Sequence, residues 1–167
     1  MRFDGLILDF DGVLLESEYV GNAQIAECLT GLGHPTSVEE AMAEFMGLSG
    51  ADFLAAIERW IGRPVPEAFH RARRVEDERV LAEGIESVAG AVAFVEMLPP
   101  ELPRAVASSS SSRWVRTHLD HLKLRDRFEP HIFSGCEHVA RGKPAPDLYL
   151  HAAAAIGVPI GRVAIVE

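Results

Sequence analysis

Residues 6–18 have the sequence Leu6-Ile-Leu-Asp-Phe-Asp-Gly-Val-Leu-Leu-Glu-Ser-Glu18, an apolar run that stops at two carboxylates and a glycine. A short apolar run of this kind, closed by Asp and Gly, is typical of a central strand in a parallel sheet that is covered on both faces. Asp9 and Asp11 follow at the carboxyl end of this strand, where open α/β sheets bind their ligands. Because alternate residues of an extended chain point the same way, we expect both carboxylates to face one small space.

Two carboxylates in one small space repel each other unless a cation or a shared proton lies between them. A divalent cation with oxygen ligands would relieve this repulsion, and Mg²⁺ is the usual partner of carboxylate together with phosphate. The same residues also allow a plainer interpretation, in which Asp and Gly only supply the chemistry of a turn at the end of a strand.

The composition restricts the classes of function. The chain has 167 residues and is 48% hydrophobic, which suits one compact core with a modest insertion. Its 25 acidic residues outnumber 16 basic ones, and the net charge of −9 argues against a nucleic-acid partner. No apolar run approaches the length of a membrane span, so we expect a cytoplasmic protein without a membrane partner. Cys28 and Cys136 lack metal-type spacing and are expected to be reduced.

Four helical patterns follow the first strand with no strand between them, which predicts a separate helical layer. They cover residues 17–32, a segment that begins after Ser37, residues 53–61 and residues 66–82. Ser37 followed by Glu40 is the signature of a capping box at the start of the second helix. The fourth helix is rich in Arg and Glu, which favours a solvated face of mixed charge over a basic rim that guides phosphates.

Alternation of strand and helix resumes after Gly84. A short apolar strand at residues 104–107 is followed by five serines, Ser108–Ser112, and then by a helical stripe that begins with Trp114. A serine run can be a flexible linker. Hydroxyls placed between a strand and the start of a helix instead indicate a phosphate cradle, because side-chain hydroxyls and unpaired backbone N–H groups converge on an anion there.

Two further segments complete the pattern. The prolines of Gly-Lys143-Pro-Ala-Pro-Asp147 hold the backbone extended around the lysine and delay the next helix until Asp147. The segment Arg162-Val-Ala-Ile-Val-Glu167 predicts another strand that ends in an acid. A doubly wound sheet would continue with one more strand and helix. We therefore expect the sequence to be a fragment that lacks the C-terminal part of the core.

These motifs, in this order, resemble those of the haloacid dehalogenase-like hydrolases, in the branch of small-molecule phosphatases and phosphohexomutases. The resemblance implies a doubly wound, Rossmann-like α/β core formed by residues 1–14 and 84–167, with an inserted α-helical cap at residues 15–83. One departure is Glu16, where the family usually has Asp. The fourth motif of the family has two acids, and only Glu167 is present here.

The resemblance also implies a role for each matched residue. Asp9 would be the nucleophile that forms an aspartyl-phosphate, Asp11 the general acid and base, and Lys143 the cation that pairs with the nucleophile and the transferring phosphoryl group. Phosphate would be bound by Ser108, the backbone N–H of Ser109, Ser110 and Gly12. Mg²⁺ would be held by the Asp9 side chain, the Asp11 backbone carbonyl and Glu167.

The implied function is that of a Mg²⁺-dependent phosphohydrolase acting on a small phosphorylated metabolite, for example a sugar phosphate. A phosphohexomutase is the alternative within the family. The similar mutases carry Arg after a Gly-x-Ser turn of the cap, where this chain has Gly50. A dehalogenase is disfavoured because those relatives lack the carboxylate of Asp11. An inactive binding module is the alternative from another class, because the visible metal site is incomplete.

Overall fold

The computed structural model describes residues 3–48 and 50–167, which form two compact units. One unit combines the residues up to Glu16 with Gly84–Glu167, and the other comprises Ser17–Glu83. Ser49, in the turn compared with the mutases above, lies outside the described residues. In the described part of the chain, no helix combines the length and apolar character that crossing a bilayer requires.

The first unit is built on a parallel sheet. Its strands are β1 (Gly5–Leu8), β2 (Arg104–Ser108), β3 (Ile132–Ser134) and β4 (Val163–Val166). Their order in the sheet is β3-β2-β1-β4, and each neighbouring pair is parallel. The predicted Rossmann-like α/β fold is therefore confirmed. Because β1 lies between β2 and β4, its carboxyl end is flanked by the ends of both neighbours.

Helices cover both faces of this sheet, namely α5 (Ala91–Met97), α6 (Ser112–His121) and α7 (Asp147–Ala155). Leu6 and Leu8 of β1 belong to a hydrophobic cluster with residues of α5 and α6, whereas Ile7 belongs to a cluster with residues of α7. Successive residues of a strand point to opposite faces, so a strand buried on both sides has a continuous apolar sequence. This explains the apolar run at residues 6–8.

The second unit consists of α1 (Ser17–Gly31), α2 (Val38–Phe45), α3 (Gly50–Ile61) and α4 (Glu67–Glu83). It has a hydrophobic cluster of its own, which includes Leu29, Phe45 and Ile57. The predicted capping box is confirmed, because the Ser37 side chain accepts a hydrogen bond from the Glu40 N–H while the Glu40 side chain accepts one from the Ser37 N–H.

Ion pairs cover the charged face of α4. Arg74 pairs with Glu67 at 2.6 Å, and Arg79 pairs with both Glu76 and Glu83. Each of these arginines has a carboxylate partner on the same helix. The arrangement favours the prediction of a solvated face of mixed charge over that of a basic rim.

Candidate active site

The chain turns sharply where β1 ends. Phe10 is fully buried in the cluster that β1 shares with α5 and α6. Its carbonyl accepts hydrogen bonds from the N–H groups of the next turn, those of Val13, Leu14 and Leu15. Gly12 has a φ of +73°, a left-handed conformation that glycine adopts without strain. Its N–H donates to the Leu15 carbonyl at 2.9 Å and is therefore engaged within the turn.

The carboxylate of Asp9 lies in a cationic environment. Its Oδ2 is 2.8 Å from Lys143 Nζ, and its Oδ1 accepts a hydrogen bond from the Phe10 N–H at 2.7 Å. Lys143 Nζ is also 3.3 Å from Glu167 Oε1 and 5.0 Å from the centre of the Tyr149 ring. The Lys143 side chain is only 12% exposed, so its charge is poorly screened by water and acts strongly on Asp9.

Tyr149 and Glu167 form a second contact on this side. The Tyr149 hydroxyl donates to Glu167 Oε1 at 2.7 Å. This hydrogen bond, together with the charge of Lys143, lowers the pKa of Glu167 below its usual value. Burial, and then the neighbouring Glu167, raise the pKa of Tyr149, so its hydroxyl keeps the proton that it donates.

The carboxylate of Asp11 accepts hydrogen bonds from three neutral donors. Its Oδ2 accepts hydrogen bonds from Ser108 Oγ at 3.2 Å and from Ser110 Oγ at 2.7 Å. Its Oδ1 accepts a hydrogen bond from Trp114 Nε1 at 3.1 Å. Of the predicted phosphate ligands, Ser108 and Ser110 are thus brought next to Asp11, and their hydroxyls are directed at its carboxylate.

The serine run is an ordered strand-to-helix connection. Ser108 is buried at the end of β2, and its Oγ accepts a hydrogen bond from the Ser110 N–H at 2.9 Å. Ser111 caps α6 by accepting a hydrogen bond from the Trp114 N–H, and the Ser112 N–H donates to Glu137 Oε1 at 2.8 Å. Ser109 is exposed, and its carbonyl accepts from Cys136 Sγ. These hydrogen bonds argue against the flexible-linker interpretation.

The lysine loop is fixed at its ends. Arg141 forms a bidentate ion pair with Asp147 at the start of α7, with both N–O distances at 2.9 Å. Gly142 and Gly135 pack closely, and a Cβ on Gly142 would lie 3.4 Å from the Gly135 carbonyl oxygen. This contact places the loop next to the end of β3, and Lys143 Nζ lies 2.8 Å from Asp9 Oδ2.

The oxygen donors of Asp9, Asp11 and Glu167 fit the predicted Mg²⁺ ion. Asp9 and Glu167 both contact Lys143 Nζ, so their two carboxylates lie close to the same cation. Within residues 3–48 and 50–167, no group of three His, Cys, Asp or Glu side chains forms a closed metal cage. Mg²⁺ does not need such a cage, because it is usually bound by one or two carboxylates, water and substrate phosphate. The Asp11 carboxylate is turned towards Ser110 and Trp114, and the binding of the metal by the Asp11 backbone carbonyl stays a prediction.

Sequence analysis missed two residues of this site. Trp114 was assigned only to a helical stripe and Tyr149 was given no role, yet each donates a hydrogen bond to one of the acids. Both lie within the first turn of a helix that begins next to the site, α6 and α7 respectively. A hydrogen-bonding aromatic residue at such a position is the signal that could have identified them.

Comparison with known proteins gives a consistent result. A family model described as a haloacid dehalogenase-like hydrolase matches residues 3–167. The 6-phosphogluconate phosphatase of Escherichia coli is 25% identical to the chain, with 99% of the chain and 74% of the phosphatase covered. The fructose-1-phosphate phosphatase of Escherichia coli is 28% identical, with 99% of the chain and 87% of that phosphatase covered.

Solved structures share the architecture. A haloacid dehalogenase-like protein of unknown function from Agrobacterium tumefaciens superimposes with a TM-score of 0.84 and 33% identity, over 98% of this chain and 73% of that chain. A hydrolase of the same family from Deinococcus radiodurans, with bound phosphate and sodium, superimposes with a TM-score of 0.81 and 25% identity. That match covers 98% of this chain and 72% of that chain.

Proposed function

The chain belongs to the haloacid dehalogenase-like hydrolases, and we propose that it is a phosphatase that hydrolyses small phosphorylated metabolites through a phosphorylated Asp9. The observation that carries the proposal is the Asp9–Lys143 pair at the end of β1. Asp11 follows two residues later and accepts hydrogen bonds from the hydroxyls of Ser108 and Ser110. The similar phosphatases named for 6-phosphogluconate and fructose 1-phosphate support a sugar phosphate as the substrate class.

In the proposed first step, a carboxylate oxygen of Asp9 attacks phosphorus and forms the new O–P bond as the bond to the leaving oxygen breaks. Asp11 gives its proton to that oxygen, so the product leaves as an alcohol. Lys143, 2.8 Å from Asp9, and the hydroxyls of Ser108 and Ser110 stabilise the charge on the phosphoryl oxygens.

In the proposed second step, Asp11 takes a proton from water, and the water oxygen attacks phosphorus of the phosphorylated Asp9. Cleavage of the O–P bond releases inorganic phosphate and restores the Asp9 carboxylate. Asp11 is then protonated for the next cycle. When bound by Asp9, Glu167 and the Asp11 carbonyl, Mg²⁺ would supply positive charge that offsets the charge of the phosphate and the two acids.

The phosphohexomutase alternative has less support. Position 50, where the similar mutases carry Arg, has a φ of +55° in this chain, a conformation that favours glycine over residues with a side chain. The similar phosphatases named above also favour hydrolysis. The role of residues 15–83 as a cap, and those of Gly12 and Ser109 in phosphate binding, stay predictions.

The test compares Asp9→Asn with Asp4→Asn. The two aspartates flank β1, and Asp4 at the amino end pairs with Arg162 rather than with Lys143. We expect Asp9→Asn to lower phosphomonoester turnover by about a thousandfold or more, because an amide is a poor nucleophile. Asp4→Asn should retain turnover close to that of the wild type.

Trapping the phosphoenzyme identifies the nucleophile directly, and the trapped phosphate should be on Asp9. A single turnover in H₂¹⁸O should place ¹⁸O in the released phosphate rather than in the Asp9 carboxyl, because water attacks phosphorus in the proposed second step. Wild-type turnover by Asp9→Asn would contradict the assignment. A wild-type chain that binds a phosphorylated sugar but never hydrolyses it would favour the binding module.

A further inference from the structure

The two oxygens of Asp11 have hydrogen-bond donors of different kinds. Oδ1 accepts from the indole N–H of Trp114, whereas Oδ2 accepts from the hydroxyls of Ser108 and Ser110. An indole N–H can only donate, but a hydroxyl can donate or accept and can turn towards another acceptor. The partner of Oδ1 can therefore act only as a donor, whereas the hydroxyls that donate to Oδ2 can turn away and bond to another group.

Trp114 is itself fixed in three ways. Its backbone N–H donates to the Ser111 side chain that caps α6. Its ring contacts the ring of His118 edge to face, with the centroids 4.3 Å apart. Its side chain is half-buried against the cluster that β1 shares with α5 and α6. The indole is thus held in place by contacts other than its hydrogen bond to Asp11.

His118 provides an uncharged support for the indole. It is fully buried, and both of its ring nitrogens lack hydrogen-bond partners within the described part of the chain. Burial lowers the pKa of His118 to about 4, so the ring is neutral near pH 7. A neutral ring offers the indole a packing surface without a positive charge close to Asp11.

The geometry points to Trp114 as a positioning residue that anchors Oδ1 of Asp11, so that Oδ2 is the oxygen that exchanges the proton with the leaving group and with water. The inference rests on the proposed function, because it assigns Trp114 a role in that reaction. When a phosphate takes the hydroxyls of Ser108 and Ser110, Oδ2 loses these donors. Trp114 still holds Oδ1, which keeps the carboxylate in place next to the phosphate.

The kinetic test uses matched substitutions of the two tryptophans. Trp114→Phe keeps a ring against His118 but removes the donor to Asp11. Trp60→Phe removes an equivalent indole hydrogen bond, from Trp60 Nε1 to Thr36 Oγ1 at 2.9 Å, in the helical unit. We expect Trp114→Phe to lower kcat/KM, which reports the first step, about tenfold for fructose 1-phosphate, whose leaving oxygen needs a proton.

The leaving group separates positioning from a general structural defect. Trp114→Phe should change kcat/KM little for p-nitrophenyl phosphate, whose leaving group needs little protonation. The value of kcat can fall for both substrates, because the attack of water in the second step is the same for each. Trp60→Phe should affect both substrates equally or not at all. Equal losses of kcat/KM on both substrates by Trp114→Phe, or no loss on either, would overturn the inference while the wild-type activity leaves the proposed function standing.

A spectroscopic test does not depend on turnover. The ¹H–¹⁵N spectrum should contain one indole peak for each of Trp60 and Trp114, and Trp60→Phe assigns them. In Asp11→Asn the Trp114 peak should move upfield, because a neutral amide oxygen is a weaker acceptor than a carboxylate, while the Trp60 peak stays in place. An unmoved Trp114 peak would overturn the anchoring of Oδ1. A wild-type chain without any phosphatase turnover would overturn the proposed function, and the catalytic part of this inference with it.

Discussion

The two acids that follow β1 lie only two residues apart, yet they have contrasting surroundings. Asp9 belongs to a charge-paired side, which we define as Asp9, Lys143, Tyr149 and Glu167. Asp11 belongs to a neutral-donor side, which we define as Asp11, Ser108, Ser110 and Trp114. The same side-chain chemistry can therefore serve two roles, because the groups around each carboxylate differ.

The sheet order produces this contrast. β1 lies between β2 and β4, so the turn after β1 has a different neighbour on each side. The neutral-donor side comes from the end of β2 and the start of α6, and the charge-paired side comes from the loop before α7 and the end of β4. If the contrast is functional, changes on the two sides should affect different steps of the reaction.

The largest effect is expected for Asp11→Asn, which removes the proposed proton donor but keeps the size of the side chain. The value of kcat/KM, which reports the first step, should fall about a thousandfold for an alkyl phosphate such as fructose 1-phosphate and about tenfold or less for p-nitrophenyl phosphate. Asp120→Asn, which changes an exposed carboxylate of α6, is the control. Similar losses of kcat/KM on both substrates would contradict the proton-donor role of Asp11.

Lys143→Met is expected to have the next largest effect. Loss of the ammonium should lower kcat about a hundredfold for both alkyl and aryl phosphates, because charge on the phosphoryl group develops with either leaving group. Lys123→Met changes the only other lysine in the chain and is the control. A loss that depends on the leaving group would indicate that Lys143 takes part in proton transfer. The charge-paired side and the neutral-donor side would then not differ in the step that they affect.

A smaller effect concerns stability next to the neutral-donor side, where His118 packs against Trp114. His118 has a pKa lowered to about 4 in the folded chain, so the unfolded chain binds more protons as the pH falls below the ordinary value of 6.5. Its contribution to stability is complete above pH 6.5 and is lost as the pH falls towards 4. Between pH 6.5 and 5, this amounts to a loss of about 2 kcal/mol in the free energy of unfolding.

Urea unfolding at pH 6.5 and pH 5 measures this loss. His118→Leu should lose less stability than the wild type over the interval. His151→Leu, a change at an exposed histidine of α7, should lose as much as the wild type. An identical pH dependence of wild type and His118→Leu would show that another group is responsible.

The smallest effect is expected for Tyr149→Phe, which removes one hydroxyl from the charge-paired side. The pKa of Glu167 should rise towards its ordinary value of 4.5, because the hydrogen bond from Tyr149 is the main cause of its lowering. The stabilising effect of a carboxyl with a lowered pKa is present above pH 4.5 and is lost at lower pH, so Tyr149→Phe should matter least in strong acid.

A carboxyl ¹³C titration of Glu167 measures the shift, with Tyr19→Phe in the helical unit as the control. Turnover should change about threefold or less, since Lys143 still contacts Asp9 and Glu167. An unchanged Glu167 titration would mean that Lys143 alone accounts for the lowered pKa.

Sequence predicted the sheet and the main side chains of the site for a shared reason. Asp9, Ser108 and Glu167 each end a run of strand-forming residues, and the carboxyl ends of parallel strands meet at one edge of a sheet. Lys143 was identified from its prolines and from the resemblance to a family. These signals are local. A strand that is buried on both faces has a continuous apolar sequence, so it can be identified without knowledge of its tertiary contacts.

The contacts of Trp114 and Tyr149 had no comparable signal. The bond from Trp114 to Asp11 spans 103 residues and depends on how closely α6 approaches the turn after β1. Apolar spacing identifies the face of a helix but does not indicate which atom a ring edge will reach. Gly12 illustrates the same limit, because its N–H was predicted to bind phosphate but donates to Leu15 within the turn.

Phe10 separates the two acids in sequence and is buried among residues of α5 and α6. Packing of its ring fixes the backbone between the two acids. The distance between the two carboxylates therefore depends on how well the side chain at position 10 fills the space between β1, α5 and α6. In a saturation-mutagenesis screen for activity, position 10 should be as intolerant as the acids beside it, although its ring is fully buried. The positions that such a screen identifies as essential would then include core residues, which align the reacting groups through packing alone.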